Sequence, residues 1–122
     1  MEELSIEWVA GFFDGEGCAK IGKQAKVKSG IIYPHASLTL SQSGEDGLAV
    51  LEAVQKQFGG KIYHHLRVGE HKATKNAYKL YWNKEDGVAF LTKLIPHLKL
   101  KQQDCQTVLN HYQRKANGSS PV

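Results

Sequence analysis

Two carboxylates one residue apart, Asp14 and Glu16, stand among three glycines in the stretch Trp8-Val9-Ala10-Gly11-Phe12-Phe13-Asp14-Gly15-Glu16-Gly17. Paired carboxylates on a permissive glycine backbone suit a hard divalent cation, which takes oxygen ligands and keeps room for water and phosphate. The stretch also breaks local rules twice. Gly11 and Gly15 fall four apart on one face of a helix, where each lowers helix propensity by about 1 kcal/mol relative to Ala; in exchange they permit close approach by another helix. Asp14 and Glu16 put negative charge at a helix C-terminus, which the helix dipole disfavours by about 0.3–1 kcal/mol each. Violations gathered in one place tend to mark function. The plainer alternative is a helix C-cap whose carboxylates are merely solvated. Rival phosphate and metal motifs do not fit: no Gly-Lys-Ser/Thr follows the glycines, the run of oxygen ligands is too short for an EF-hand, and the glycines end a helix where a dinucleotide fingerprint opens one.

The elements that must position these residues follow from pattern. Ser5 caps a first helix that carries Glu7 in its first turn and runs from Ile6 to Asp14, stopping at Gly15-Glu16-Gly17. From Cys18 to Ser41 the apolar residues alternate (Ala19 and Ile21, then Ala36, Leu38 and Leu40), broken near Ser29-Gly30, which predicts two antiparallel strands. Leu48, Leu51, Val54 and Phe58 recur at helical spacing up to Gly59-Gly60. A second hairpin spans Lys61 to Val68 and Ala77 to Trp82 around a polar loop, Gly69 to Asn76. A third helix bears Val88, Leu91, Leu94 and Ile95 and should end at Pro96; a fourth bears Cys105, Val108, Leu109 and Tyr112. The two hairpin-helix units form a repeat of length and pattern without obvious residue identity. The expected fold is α+β: a four-stranded antiparallel sheet with helices on one face and the other face free.

The chain has 122 residues, enough for one domain, here 1–116 with a tail at 117–122. Its composition, 41% hydrophobic and 23% charged, is that of a globular protein and argues against disorder. No apolar run reaches the roughly 20 residues of a membrane span, and the sequence opens without signal-peptide features. Cys18 and Cys105 have no ligand spacing and form no disulfide framework, so a reducing compartment is expected. Of the six histidines, His64, His65 and His71 match no standard zinc spacing. Trp8 and Trp82 read most simply as core aromatics.

The net charge of +4 is mild, but its distribution is uneven. Lys20, Lys23, Lys26, Lys28, Lys61, Arg67, Lys72, Lys75 and Lys79 lie in the hairpins against Glu70 alone, so the sheet carries +8 and the rest of the chain −4. Tyr33, Tyr63, Tyr78 and Tyr81 fall in the same hairpins. Sheets with this composition enter the major groove, where Lys and Arg meet phosphates and polar side chains meet base edges. Exposed strands also carry Lys simply to block edge pairing.

Val9 to Gly17 closely resembles the LAGLIDADG motif across its nine positions. The resemblance extends to Leu98-Lys99-Leu100-Lys101-Gln102, similar to the segment bearing the family's active-site lysine, to Ser37-Leu38-Thr39-Leu40-Ser41-Gln42, similar to the segment supplying a polar active-site residue, and to Phe58-Gly59-Gly60-Lys61-Ile62-Tyr63. It covers about Ile6 to Gln113 in an αββαββα order.

The resemblance implies a site-specific double-strand DNA homing endonuclease. In that family two motif helices pack together, here through Trp8, Gly11, Phe12 and Gly15, so a single-motif chain implies a homodimer with its two-fold axis between the helices. The metal-binding acid would be Glu16, where Glu replaces the more familiar Asp, with the Gly15 carbonyl as a further oxygen ligand and Asp14 buttressing the helix end. The implied cofactor is Mg²⁺, with Mn²⁺ as a substitute and Ca²⁺ supporting binding only. Lys101 would offset phosphate charge and Gln42 would order water. The implied location is intracellular: an organelle where the gene is organellar, otherwise bacterial or phage-host cytoplasm. The same fold would also serve an intron RNA maturase or an inactive DNA binder. A protein-interaction domain using the small-residue helix for dimerisation alone leaves the basic sheet unexplained.

Period-2 alternation with Ala19 and Ile21 inward points Cys18, Lys20, Gly22 and Gln24 outward, with Tyr33, His35, Ser37 and Thr39 on the next strand. In the second hairpin Tyr63, His65, Arg67, Lys79 and Tyr81 complete the expected DNA face, flanked by Lys26 and Lys28. Arg67 suits bidentate guanine recognition and the lysines suit phosphates. Two such sheets related by symmetry would read a long pseudo-palindromic duplex.

Overall fold

The computed structural model describes residues 3–25, 32–65 and 76–116; the side chains at 23–25, 32–34, 65 and 115–116 lie outside that description. So do Lys26, Lys28 and Arg67, most of the expected loop at 69–76, and the tail at 117–122. The elements run α1 (Ile6–Glu16), β1 (Gly17–Ala25), β2 (Ile32–Ser43), α2 (Gly44–Phe58), β3 (Lys61–His65), β4 (Ala77–Tyr81), α3 (Lys84–Leu94) and α4 (Gln102–Ala116). The strands form one antiparallel sheet in the order β1-β2-β4-β3. This is the α+β arrangement expected from the sequence.

Ser5 caps α1, its hydroxyl accepting from Trp8 N at 3.1 Å. The helix runs on through Gly15 and Glu16, so it passes the expected stop before the chain turns directly into β1. The third helix ends at Pro96 as expected, with Leu94 its last residue two positions ahead, and Pro96 is taken into a single 3-10 turn, Ile95–His97, whose opening positions tolerate its missing N–H.

The core lies between the sheet and the helices. Ala19, Leu38, Leu40 and Leu80 project from the sheet onto Val9, Ala10 and Phe13 of α1, Leu51 and Val54 of α2, Phe90, Leu91 and Leu94 of α3, and Cys105 and Val108 of α4. Trp82 is buried, stacked on Phe90 with ring centroids 4.3 Å apart, and donates from its indole to Phe58 O at 3.0 Å. Trp8 corrects the expectation of a core aromatic: it is half exposed and stacks on Phe12 at 5.1 Å.

The hairpin-helix repeat has more residue identity than its pattern suggests. Glu45-Asp46-Gly47-Leu48-Ala49-Val50-Leu51 opens α2, and Glu85-Asp86-Gly87-Val88-Ala89-Phe90-Leu91 opens α3. Gly47 lets α2 close on the preceding strand, and Gly87 lets α3 close on Tyr112 of α4. A Cβ at Gly47 would stand 2.8 Å from Gln42 Cβ, and one at Gly87 would stand 3.0 Å from the Tyr112 ring and 3.7 Å from Trp82 Cβ.

Candidate active site

The two faces of α1 have separate tasks. Val9, Ala10, Phe13 and Asp14 are buried, while Trp8, Gly11, Gly15 and Glu16 are exposed and Phe12 is half-buried beside them. The glycines divide the same way. A Cβ at Gly17 would stand 2.5 Å from the Phe13 ring, so the fold itself requires that glycine. At Gly11 and Gly15 an added Cβ meets nothing within 4 Å among the described residues, so their smallness serves no packing there.

Asp14 points inward at the end of α1 and meets the start of α4. Its Oδ2 accepts from Lys99 N at 2.7 Å, and its Oδ1 accepts from Leu100 N at 3.0 Å and Lys101 N at 2.9 Å. Three N–H groups ahead of α4, which a helix cannot satisfy internally, therefore end on one carboxylate. Burial alone would push the Asp14 carboxyl up; the N–H donors of Lys99, Lys101 and Leu100 and the Lys101 charge outweigh it and hold the group below the usual carboxylate value. The expected buttress is present, and its partners are now explicit.

Lys101 completes the junction. Its Nζ donates to Asp14 O at 2.5 Å, capping one of the carbonyls left open at the C-terminus of α1, a helix with no basic residue in its own last turn. Glu16, two residues beyond that carbonyl, is exposed. Glu16 and Lys101 are thus gathered at one corner. Gln42 stands on the neighbouring strand: the β1–β2 ladder closes at Gly17↔Leu40, so Ser41 and Gln42 run past the end of α1. Gln42 has the parity of Leu40, on the helix-covered side, and packs beneath Gly47.

Leu100, flanked by Lys99 and Lys101, is 78% exposed at this same corner, a feature the sequence pattern alone does not reveal. Cys105, one turn into α4, is buried; burial and then the Asp104 and Asp14 charges push its thiol up to about 12. It is inert as a nucleophile at neutral pH.

On the uncovered sheet face, register assembles rows across the strands. Cys18, Thr39, Tyr81 and Lys61 form one row, Ser41, Lys79 and Tyr63 the next, and Lys20–Ser37 and Gly22–His35 extend the surface along β1 and β2. Gln24, Tyr33 and His65 occupy backbone positions of the same parity. Tyr63, 51% exposed, meets Tyr81 edge-on at 5.1 Å, and Lys79 Nζ lies 5.7 Å from the Tyr81 ring centroid. Thr39 is a correction: its parity is outward, but it is only 7% exposed, enclosed in the central strand between Cys18 and Tyr81. Ser41 and Lys61 share the face and follow from the same alternation. Tyr78 and His64 take the opposite parity and stack on each other at 4.9 Å.

Among the described residues, no three His, Cys, Asp or Glu side chains are gathered as a metal-binding group, and no helix is long and apolar enough to cross a membrane. No curated protein sequence matches the chain as a relative. Solved structures do. The chain is similar in fold to the homing endonuclease I-CvuI in complex with its target in the presence of Ca, at 24% identity over 95% of this chain and 70% of that one, with a TM-score of 0.70. It is similar to the archaeal intron-encoded homing endonuclease I-Vdi141I complexed with DNA, at 18% identity, 93% and 69% coverage and a TM-score of 0.69. For the homing endonuclease I-TnaI the values are 24%, 96% and 77%, and 0.62. Residues 9–107 match the family described as LAGLIDADG endonuclease, a span that opens on the motif helix and includes Lys101 and the whole sheet. The chain therefore belongs to the LAGLIDADG endonuclease family.

Proposed function

We propose that this chain is half of a site-specific double-strand DNA endonuclease, completed by a second copy of itself. The observation that carries this reading is the exposed side of α1, where Gly11 and Gly15 leave space that no described residue fills and which ends at Glu16. A second α1 laid against these glycines brings two Glu16 carboxylates together at the axis.

The donor chemistry fits a hard divalent ion in half-measure. Asp14 is buried and engaged by three N–H groups, which leaves exposed Glu16 as the carboxylate offered to a metal at the end of α1, with the Gly15 carbonyl as a further oxygen. A second copy doubles that set. Mg²⁺ bound there supplies Lewis acidity to the scissile phosphate and to water. Lys101 places a positive charge where the phosphate must lie, and Gln42 orders solvent from the neighbouring strand. The uncovered sheet face, with Lys20, His35, Ser37, Tyr63, Lys79 and Tyr81, lies along the duplex. I-CvuI with its target in Ca and I-Vdi141I with DNA are precedents for a DNA partner and a divalent ion on this fold.

The test is cleavage of a randomised plasmid library in Mg²⁺, with Ca²⁺ as the binding-only control and Glu16→Gln as the inactive comparison. Linear product from the wild type alone supports the reading. Tight binding of structured intron RNA with no cut DNA replaces it with a maturase.

A further inference from the structure

We infer that Asp14 is a positioning residue that fixes the Lys101 ammonium beside Glu16. The inference rests on the nuclease reading for its consequence but on geometry for its content. Lysine has a long stem with large rotamer freedom, and an unrestrained surface lysine samples many positions. Lys101 is restrained at both ends by one residue 87 positions away: its N–H donates to Asp14 Oδ1 and its Nζ donates to Asp14 O. The carboxylate also takes the two preceding N–H groups, Lys99 and Leu100, so the backbone that launches the Lys101 side chain is held by three bonds.

The two ends of Asp14 thereby perform different work. Its side chain sets where α4 begins relative to α1, and its carbonyl sets where the ammonium comes to rest. Because Asp14 and Glu16 share the last turn of one helix, the Lys101 ammonium is held at a set place relative to the backbone that carries Glu16, and one rotatable side chain, that of Glu16, separates cation from carboxylate. A carboxylate is needed in this place because three N–H donors converge on two oxygens; a neutral amide would turn an NH₂ group towards one of them. Asp14 is buried with both carboxylate oxygens engaged by the start of α4, so it acts through Lys101.

Two measurements on the full chain test this. The first needs no DNA: limiting acetylation with an N-hydroxysuccinimide ester, read by peptide mass spectrometry in wild type and Asp14→Asn. Lys101 should acetylate several-fold faster in the variant, with Lys20 and Lys79 unchanged. The second is single-turnover cleavage of the duplex that the wild type selects from the plasmid library. Asp14→Asn should lower the rate by about 10–100-fold, with Ca²⁺-supported binding of that duplex unchanged, and should cost less than about twofold more in a Lys101→Ala background. If Asp14→Asn does not fold, as judged by circular dichroism, Asp14→Glu, which keeps the charge but overreaches the α4 turn, takes its place. Unchanged Lys101 reactivity, or losses that simply multiply in the double variant, overturns the inference. Absence of any cleavage by the wild type defeats the nuclease reading instead, and the acetylation result still decides the role of Asp14.

Discussion

Asp14 and Lys101, 87 positions apart, are joined by two hydrogen bonds, one from the lysine backbone N–H to the aspartate carboxylate and one from the lysine Nζ to the aspartate carbonyl. Through this pair the C-terminus of α1 and the start of α4 become one structural unit. The motif helix is thus anchored on its buried side and open on its glycine side.

Removing the Asp14 carboxylate leaves three N–H groups without their acceptor. Asp14→Ala should destabilise the fold by about 1–3 kcal/mol, the range for losing a helix cap together with buried charged hydrogen bonds. Urea denaturation followed by circular dichroism measures it, and a midpoint equal to wild type would show that α4 holds its own start.

The glycines of the motif should separate by role. Gly17→Ala drives a Cβ into the Phe13 ring and should lower thermal stability by about 1–3 kcal/mol at any protein concentration. Gly11→Ala meets nothing among the described residues, so in dilute solution it should be neutral or stabilising, by up to about 1 kcal/mol from helix propensity. Sedimentation over a concentration series should show the opposite ranking for assembly, with Gly11→Ala weakening the dimer. A Gly11→Ala chain that dimerises as tightly as wild type would remove α1 from the interface.

The two cysteines should differ in reactivity. At pH 8 Cys105 remains a buried thiol, so a maleimide should label half-exposed Cys18 first and Cys105 only on unfolding. The linkage has a definite sign. With the folded value raised to about 12 from an ordinary 9.0, the contribution of this thiol to stability is complete below pH 9 and is lost as pH rises from there towards 12, because only the unfolded chain releases the proton easily. The stability lost between pH 9 and pH 12, measured by urea denaturation, should be smaller for Cys105→Ala than for wild type; equal losses would contradict this.

On the sheet, charge and shape should be distinguishable in binding assays. Lys20→Ala or Lys79→Ala should weaken every duplex alike and reduce the salt dependence by about one phosphate contact. Tyr63→Ala removes an exposed ring held edge-on to Tyr81 and should alter preference at a particular position of each half-site by about 1–3 kcal/mol. Equal losses across all sequences for Tyr63→Ala would reduce the ring to a general contact.

Much of this was legible from residue pattern. Alternation of Ala19 and Ile21 against Leu38 and Leu40 fixed which sheet face is covered, because a one-residue slip would have exposed all four. Ser5 and the spacing of Val9, Ala10 and Phe13 placed the motif on an amphipathic helix. Periodicity failed where a helix is apolar on more than one side: nothing local says that Trp8 faces outward while Phe13 faces in, since that is decided by which side meets the sheet. Thr39 has outward parity, yet neighbours from two flanking strands cover it. The partners of Asp14 lie more than 80 residues away, so short-range spacing shows an unfavourable acid at a helix end and not the α4 turn that makes it favourable.

In the proposed endonuclease one cleavage centre needs Glu16 from two chains. Wild-type and Glu16→Gln subunits, unfolded together and refolded as an equal mixture, test it in Mg²⁺ on the selected duplex. If both copies must supply the carboxylate, double-strand cleavage should fall to about one quarter of that of the same total amount of wild type, the random share of fully wild-type dimers. A fall to about one half, as for chains that cut independently, would contradict it.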